Sequence, residues 1–212
     1  MSLQFEFTKP EIKNTFDWQL IQEINVLNED NTIIAKAEIE LITLNKHRDA
    51  LKSYTLIDEQ DGSTDWELPL NLYFKGQNLT ANLCEKLSIK PDIKKAKTHI
   101  LLEAISVLPS YQKKGVAKLL LEAIAEHYPK AQSLTVLTMP LNLFVDAEAC
   151  ENETSKNYYQ ELNLQNDKTT REQLSAFFNH CGFLEYQVDE ALLNEPLSFD
   201  LFITTPEKLI TL

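Results

Sequence analysis

Residues 109–115 read Pro109-Ser110-Tyr111-Gln112-Lys113-Lys114-Gly115, a polar, basic stretch in a chain whose formal net charge is −12. An apolar run from Ile100 to Leu108 precedes it. That run is too short for a buried helix and is stopped by Pro109, which reads as a buried strand. A helix begins near Val116, with Val116, Leu119, Leu120, Ala123, Ile124 and Tyr128 on one face, and Pro129 ends it. A loop that turns directly into a helix leaves backbone N–H groups pointing outward. With the helix dipole they attract an anion, phosphate foremost. Gly115 lets the backbone come close to such a ligand, Ala117 keeps its position small, and Lys113 and Lys114 add positive charge. The plain alternative is a tight strand–helix turn with solvated lysines. A second candidate lies inside the strand. Glu103 shares a face with Leu101, Ile105 and Val107, and desolvation there pushes a carboxyl pKa up toward the range of a general base. The alternative for Glu103 is a structural carboxylate paired with a lysine.

The elements around these residues follow from periodicity. Residues 1–15 show no clear period and read as an extended arm. Trp18, Leu20, Ile24 and Val26 alternate with polar positions, Asn28-Glu29-Asp30-Asn31 is a turn cluster, and Ile33, Ala35, Ala37, Ile39 and Leu41 alternate with Lys36, Glu38 and Glu40. This is an antiparallel hairpin with one buried face. Ala50, Leu51, Tyr54, Leu56 and Ile57 suggest a helix, Asp61-Gly62-Ser63 a turn, and residues 66–74 a helix in preference to a strand, broken at Gly76. A short helix over 82–87 and a basic surface loop over 90–97 precede the central strand. Leu134 to Leu137 is the next strand, so strand, helix and strand make a right-handed parallel crossover. Residues 141–171 form an acidic stretch with Asp146, Glu148, Glu151 and Glu153, followed by Tyr158 and Tyr159. A loop of this length is usually either functional or disordered. Glu172 to Cys181 reads as a helix capped by Gly182, Phe183 and Tyr186 open a strand, and Leu197, Phe199, Leu201 and Ile203 alternate in a last strand ended by Pro206.

Composition narrows the classes. At 212 residues, 43% apolar and 25% charged, the chain is ordinary for one large soluble domain or two small ones. The acidic balance argues against a nucleic-acid partner, since neutralising phosphates needs a basic surface, and weakly favours a cationic or neutral substrate. Cys84, Cys150 and Cys181 are far apart and odd in number, so no disulfide framework and no metal site is expected, and the setting is a reducing cytoplasmic one. No signal peptide and no membrane-spanning run are read. Glycines only at 62, 76, 115 and 182 exclude the dinucleotide, P-loop and nucleophile-elbow motifs. The histidines, His47, His99, His127 and His180, are scattered, with no His-Glu-x-x-His.

Gln112-Lys113-Lys114-Gly115-Val116-Ala117 resembles the Gln/Arg-x-x-Gly-x-Gly/Ala signature of the GNAT superfamily of acetyl-CoA-dependent N-acetyltransferases. Val107-x-Pro109 before it, Tyr111 at its start and Leu119-Leu120 after it agree. Phe177-Phe178-x-x-x-Gly182-Phe183 resembles the second GNAT signature, an aromatic pair ahead of Gly-Phe. The resemblance spans roughly residues 16–205. It implies one GNAT-like domain over 1–212 of α/β (α+β) class: a mixed, mostly antiparallel sheet with a central parallel strand pair and helices on both faces. The 141–171 insertion before the last helix, with the preceding strand ending in Met139-Pro140-Leu141-Asn142, resembles a little-characterised subgroup. The resemblance also implies acetyl-CoA as cosubstrate, with pyrophosphate on the backbone of Gln112, Lys113, Lys114, Gly115, Val116 and Ala117. Pantetheine would lie along Ile105, Ser106 and Val107, with Phe178 nearby and an N–H near Val107 facing the thioester carbonyl. Glu103 lies on the strand where such enzymes often carry a catalytic Glu.

Two departures matter. Phe178 stands where the family usually has a Tyr that protonates the CoA thiolate, and it has no proton to give. Tyr158 and Tyr159 are the candidates to replace it. Arg171 falls near the place of an Asn that commonly holds the pantetheine arm. Cys181 reads as core, since direct transfer needs no acyl-enzyme. Two functions are therefore expected to compete: acetyl transfer to a primary amine of a small molecule or peptide, by a monomer or homodimer, and non-catalytic acyl-CoA binding on the same fold.

Overall fold

The computed structural model describes residues 2–13, 16–61, 65–90, 95–141, 153–163, 169–188 and 197–211. The turn at Gly62-Ser63, the middle of the 90–97 loop, and Asp146, Glu148, Cys150 and Glu151 lie outside them. Strands β1 (Gln4–Phe7), β2 (Glu11–Ile12), β3 (Gln19–Leu27), β4 (Ile33–Leu44), β7 (Lys97–Val107), β8 (Ser133–Leu137), β9 (Leu184–Tyr186) and β10 (Leu201–Thr204) form one sheet in the order β1-β3-β4-β7-β8-β10-β9, with β2 also on β3. Among the described residues only β7 and β8 are parallel, and every other pair is antiparallel. A small hairpin, β5 (Phe74–Lys75) with β6 (Asn78–Leu79), stands apart, turning at Gly76 with φ +68°. The helices are α1 (Ala50–Asp61), α2 (Glu67–Leu72), α3 (Ala81–Leu87), α4 (Val116–His127), α5 (Glu153–Leu162), α6 (Arg171–His180) and α7 (Pro206–Ile210).

Helices cover both faces of the sheet, as expected. On one face Val116, Leu120, Leu121 and Ile124 of α4 pack with Phe178 and Cys181 at the end of α6, and with Leu209 of α7, against Ile24, Ile39 and Ile100. On the other, Ile57, Trp66, Leu70 and Leu83 from α1 to α3 pack against Ile42, Leu44 and Leu101. Beside this second core lies a smaller cluster of Leu108, Leu141, Tyr158 and Leu162, which holds α5. Among the described residues no helix is long and apolar enough to cross a membrane.

Several expectations are corrected. The N-terminal arm is extended but not loose: β1 and β2 pair with β3, and Phe5 and Phe7 pack on the first core. The buried stripe of α4 takes in Leu121 and Ala125, while Leu119 is 43% exposed. The last strand begins only at Leu201 and is buried on both faces, because Phe202 packs into the first core and Leu201 and Ile203 into the second. Pro206 opens a helix instead of closing the chain's structure: Thr205 accepts from the Lys208 N–H as its N-cap, and proline suits the first turn. Thr170 and Gln173 form a reciprocal capping box at α6. The alternation along β7 also breaks. Glu38 pairs with Ala104 and Ile39 with Leu102, so Glu103 is the extra residue of a bulge. Leu101 therefore faces the second core while Ile105 and Val107 turn to the first. Glu103 does not share a face with all three.

The Phe178 ring is 1% exposed among Phe177, Phe183 and Phe202. Phe178→Ala should lower the free energy of unfolding by about 3–5 kcal/mol, read from the midpoint of a urea transition. A loss under about 1 kcal/mol would place the ring outside the core.

Candidate active site

The parallel pairing of β7 with β8 runs only from His99↔Ser133 to Leu102↔Val136. Beyond Leu102 the two strands part while β7 continues to Val107. A cavity of about 110 Å3 opens in the gap, with Glu103, Ile105, Ser106 and Val107 on one wall, Leu137 on the other and Phe178 behind. It shares Ile105, Ser106, Val107, Gln112 and Leu174 with a wider groove of about 710 Å3, which adds Lys113 and Ala117. One cleft thus leads from between the strands to the start of α4.

The loop at its mouth is built for an anion. A single 3-10 turn, Pro109–Tyr111, leads to Gln112, whose Nε2 donates to the Val107 carbonyl at 3.1 Å. Lys113 and Gly115 take positive φ, +58° and +81°, and Gly115 is the N-cap of α4 with no side chain capping the helix. The first N–H groups of α4 have no acceptor within the helix. A Cβ built on Gly115 meets nothing within 4 Å, so glycine is needed for the backbone angle and open space lies beside it. Lys114 rests on the Tyr111 ring, and Val116 is buried.

On the second face of the sheet, ionisable side chains crowd together. Lys13 Nζ lies 2.9 Å from Glu40 Oε2 and 2.8 Å from Glu103 Oε1. Glu40 is wholly buried, and Gln19 Nε2 donates to its other oxygen. Burial, then the neighbouring Glu103, pushes Glu40 up to about 8 and Glu38 up to about 7. Asp65 is raised too, by burial and by Glu103. For Glu103 burial also acts upward, but hydrogen bonding from Glu40 and the Lys13 charge outweigh it and hold the group low. The expectation of a high-titrating Glu103 is therefore reversed: its neighbours carry the protons. The Lys13 ammonium is held charged by Glu40 and Glu103 against its own burial.

Helix α5 adds polar contacts of its own. Tyr158 Oη is 2.8 Å from Ser106 Oγ, and burial raises its pKa. Lys36, 4% exposed, donates to Ser155 and Glu23 and lies over the Tyr158 and Tyr159 rings.

With the cleft in view, comparison with known proteins identifies its kind. The family model for "Acetyltransferase (GNAT) family" matches residues 79–163. Over those residues the chain matches a GNAT acetyltransferase domain. No curated protein matches the sequence. Among solved structures, NAA60 of Arabidopsis thaliana in complex with acetyl-CoA is 12% identical over 86% of this chain and 73% of that one, with a TM-score of 0.36. Arylalkylamine N-acetyltransferase 2 from Aedes aegypti is 16% identical over 87% and 73%, at 0.41. The KacTA–DNA complex is 10% identical over 99% and 97%, at 0.44. Likeness at these scores carries no weight for substrate or mechanism.

Ile105, Ser106, Val107, Gln112, Lys113, Ala117 and Phe178 line the cleft, with Gly115 at its mouth, while Lys114 and Val116 do not line it. Tyr158 reaches the cleft wall through Ser106; Tyr159 packs edge-on against Tyr158 instead. Arg171 does not turn toward the cleft: it pairs with Asp200 and donates to the Leu197 carbonyl at 2.8 Å. Sequence reasoning missed Lys13, Glu38 and Glu40. The polar positions of β4 read as a solvent face, yet Lys36 and Glu40 are buried.

Glu38 and Glu40 hold protons to higher pH when folded than when unfolded. Their contribution to stability therefore falls as pH rises from the usual carboxylate range through about 7 and about 8. Glu38→Gln has no proton to lose, so between about pH 5 and about pH 8 its thermal midpoint should fall less than that of the wild type. Parallel curves would mean that Glu38 is ionised throughout.

Proposed function

We propose that the protein moves an acetyl group from acetyl-CoA directly to a primary amine. The observation that carries this reading is the cleft where β7 leaves β8, continuous with the mouth of the Gly115 loop. Among the described residues, backbone groups of Ile105, Ser106 and Val107 on the β8 side have no strand partner, and such groups need hydrogen bonds. A pantetheine arm has amides to offer them. The open N-terminus of α4, with Lys113 beside it, suits a pyrophosphate. Bound acetyl-CoA would supply an activated acyl thioester.

The chain's own residues supply the proton chemistry. An alkylammonium must lose a proton before it can attack. Glu103 borders the cleft and keeps its charge, so it is the carboxylate that takes the proton, and hydrogen bonds join it to Glu38 and Glu40, whose values near 7 and 8 lie close to neutral pH. The proton passes to these coupled carboxylates as a group. Tyr158 stays a neutral phenol because it is buried, and from Ser106 on the cleft wall it can donate to the departing sulfur. The competing reading, acyl-CoA binding without catalysis, rested on Phe178 as a lost acid. The Tyr158 phenol, 2.8 Å from Ser106 of the cleft wall, supports catalysis over that reading.

Thiol release from acetyl-CoA with a panel of primary amines tests this reading. Tyr158→Phe and Glu103→Gln should each bind CoA as the wild type does and lose turnover by about a hundred- to ten-thousand-fold. Turnover within a few-fold of wild type in both would leave the proton transfers to other groups.

A further inference from the structure

The second face of the sheet already holds a primary ammonium. Lys13 Nζ sits between Glu40 and Glu103, and Glu103 also borders the cleft, so one carboxylate joins the ammonium to the space assigned above to the reaction. Carboxyl groups outnumber cations around it. Glu38, Glu40, Glu103 and Asp65 act on one another with Lys13 as the cation they share. Gln19, 1% exposed, donates to Glu40, while its own Oε1 is buried with no donor. A buried acceptor of that kind suits an incoming N–H. Lys13 lies at the solvent end of the cluster. Its side chain is 31% exposed, and it follows β2, which pairs with β3 at Glu11↔Ile21 and Ile12↔Leu20, while the Lys13 N–H donates to the Gln19 carbonyl at 2.9 Å.

We propose that the Lys13 ammonium stands in for the acceptor, so that the acceptor is a primary ammonium on an unbranched aliphatic chain and binds by displacing Lys13 from Glu40 and Glu103. The inference rests on the acetyl-transfer reading for its chemistry, but the displacement itself is a binding event that can be read separately. An incoming ammonium would donate to Glu40 and Glu103 as Lys13 does, with Gln19 Oε1 available as a further acceptor. A branched amine would have to widen a site shaped by a straight lysine side chain.

The probe is 1-aminopentane, which matches the lysine side chain, with tert-butylamine as the branched control. In calorimetry, Lys13→Met keeps an unbranched side chain without the charge and should bind 1-aminopentane at least about tenfold more tightly than the wild type, because the competing group is gone. Equal affinity in a folded variant would overturn the proposal. So would tert-butylamine binding as well as 1-aminopentane. The wild type gives a second readout that does not depend on the variant's folding: the 15N signal of the Lys13 ammonium, identified by its absence from Lys13→Arg. As 1-aminopentane saturates, this signal should move to the position of a solvent-exposed lysine. No binding, or an unmoved signal at saturation, makes Lys13 a structural ion pair. CoA binding on the same samples separates the two readings. If CoA fails to bind while Lys13 is displaced, the acetyl-transfer reading falls; if CoA binds while Lys13 stays, this inference falls alone.

Discussion

Strand β7 has a neighbour on each edge and treats them differently. Against β4 it is paired from Lys97 to Val107, with Glu103 as the one unmatched residue; against β8 its pairing ends at Leu102. A bulge bends its strand and adds local twist. Here it lies at the position where the parallel partner is lost. Past it, Ile105 and Val107 pack toward α4 and Ser106 turns toward α5. Backbone donors and acceptors on the open edge need partners, and among the described residues no strand pairs with that edge beyond Leu102. The opening, its depth beside Phe178 and its exit at Gln112 all follow from this discontinuity.

The same bulge explains the electrostatics. Glu103 comes to the face that carries Glu38 and Glu40, in a setting where three carboxylates cannot all stay charged with Lys13 as their shared cation. A buried charge is costly unless paired, so the protons redistribute: Glu103 keeps its charge, and Glu38 and Glu40 hold on to hydrogen. Natural sites often give up stability for function in this way.

What the sequence made legible was local. The Gly115 loop could be read because a strand, a turn needing positive φ and a helix start are each specified within a few residues. The hairpin of β3 and β4 could be read from alternation. The limits have equally physical causes. Alternation says which side chains share a face, not what will cover that face, so Lys36 and Glu40 looked solvated although α5 and the N-terminal arm lie across them. A bulge depends on the partner strand, so a single strand gives no sign that Glu103 is the extra residue. Short edge strands such as β2 have too few residues to show a period. Pro206 was read as a stop, whereas Thr205-Pro206 is an N-cap followed by a first-turn proline. The sequence offered Tyr158 and Tyr159 alike, and only the fold, which brings Tyr158 to the distant Ser106, separates them.

The central claim is that one ligand bridges the open edge of β7 and the start of α4. Amide hydrogen exchange with and without CoA tests it most directly, because it reads those backbone groups themselves. The account predicts slowed exchange at Ile105 to Val107 together with Lys113 to Ala117. CoA that leaves both stretches unchanged, or that protects some other part of the chain instead, would contradict it.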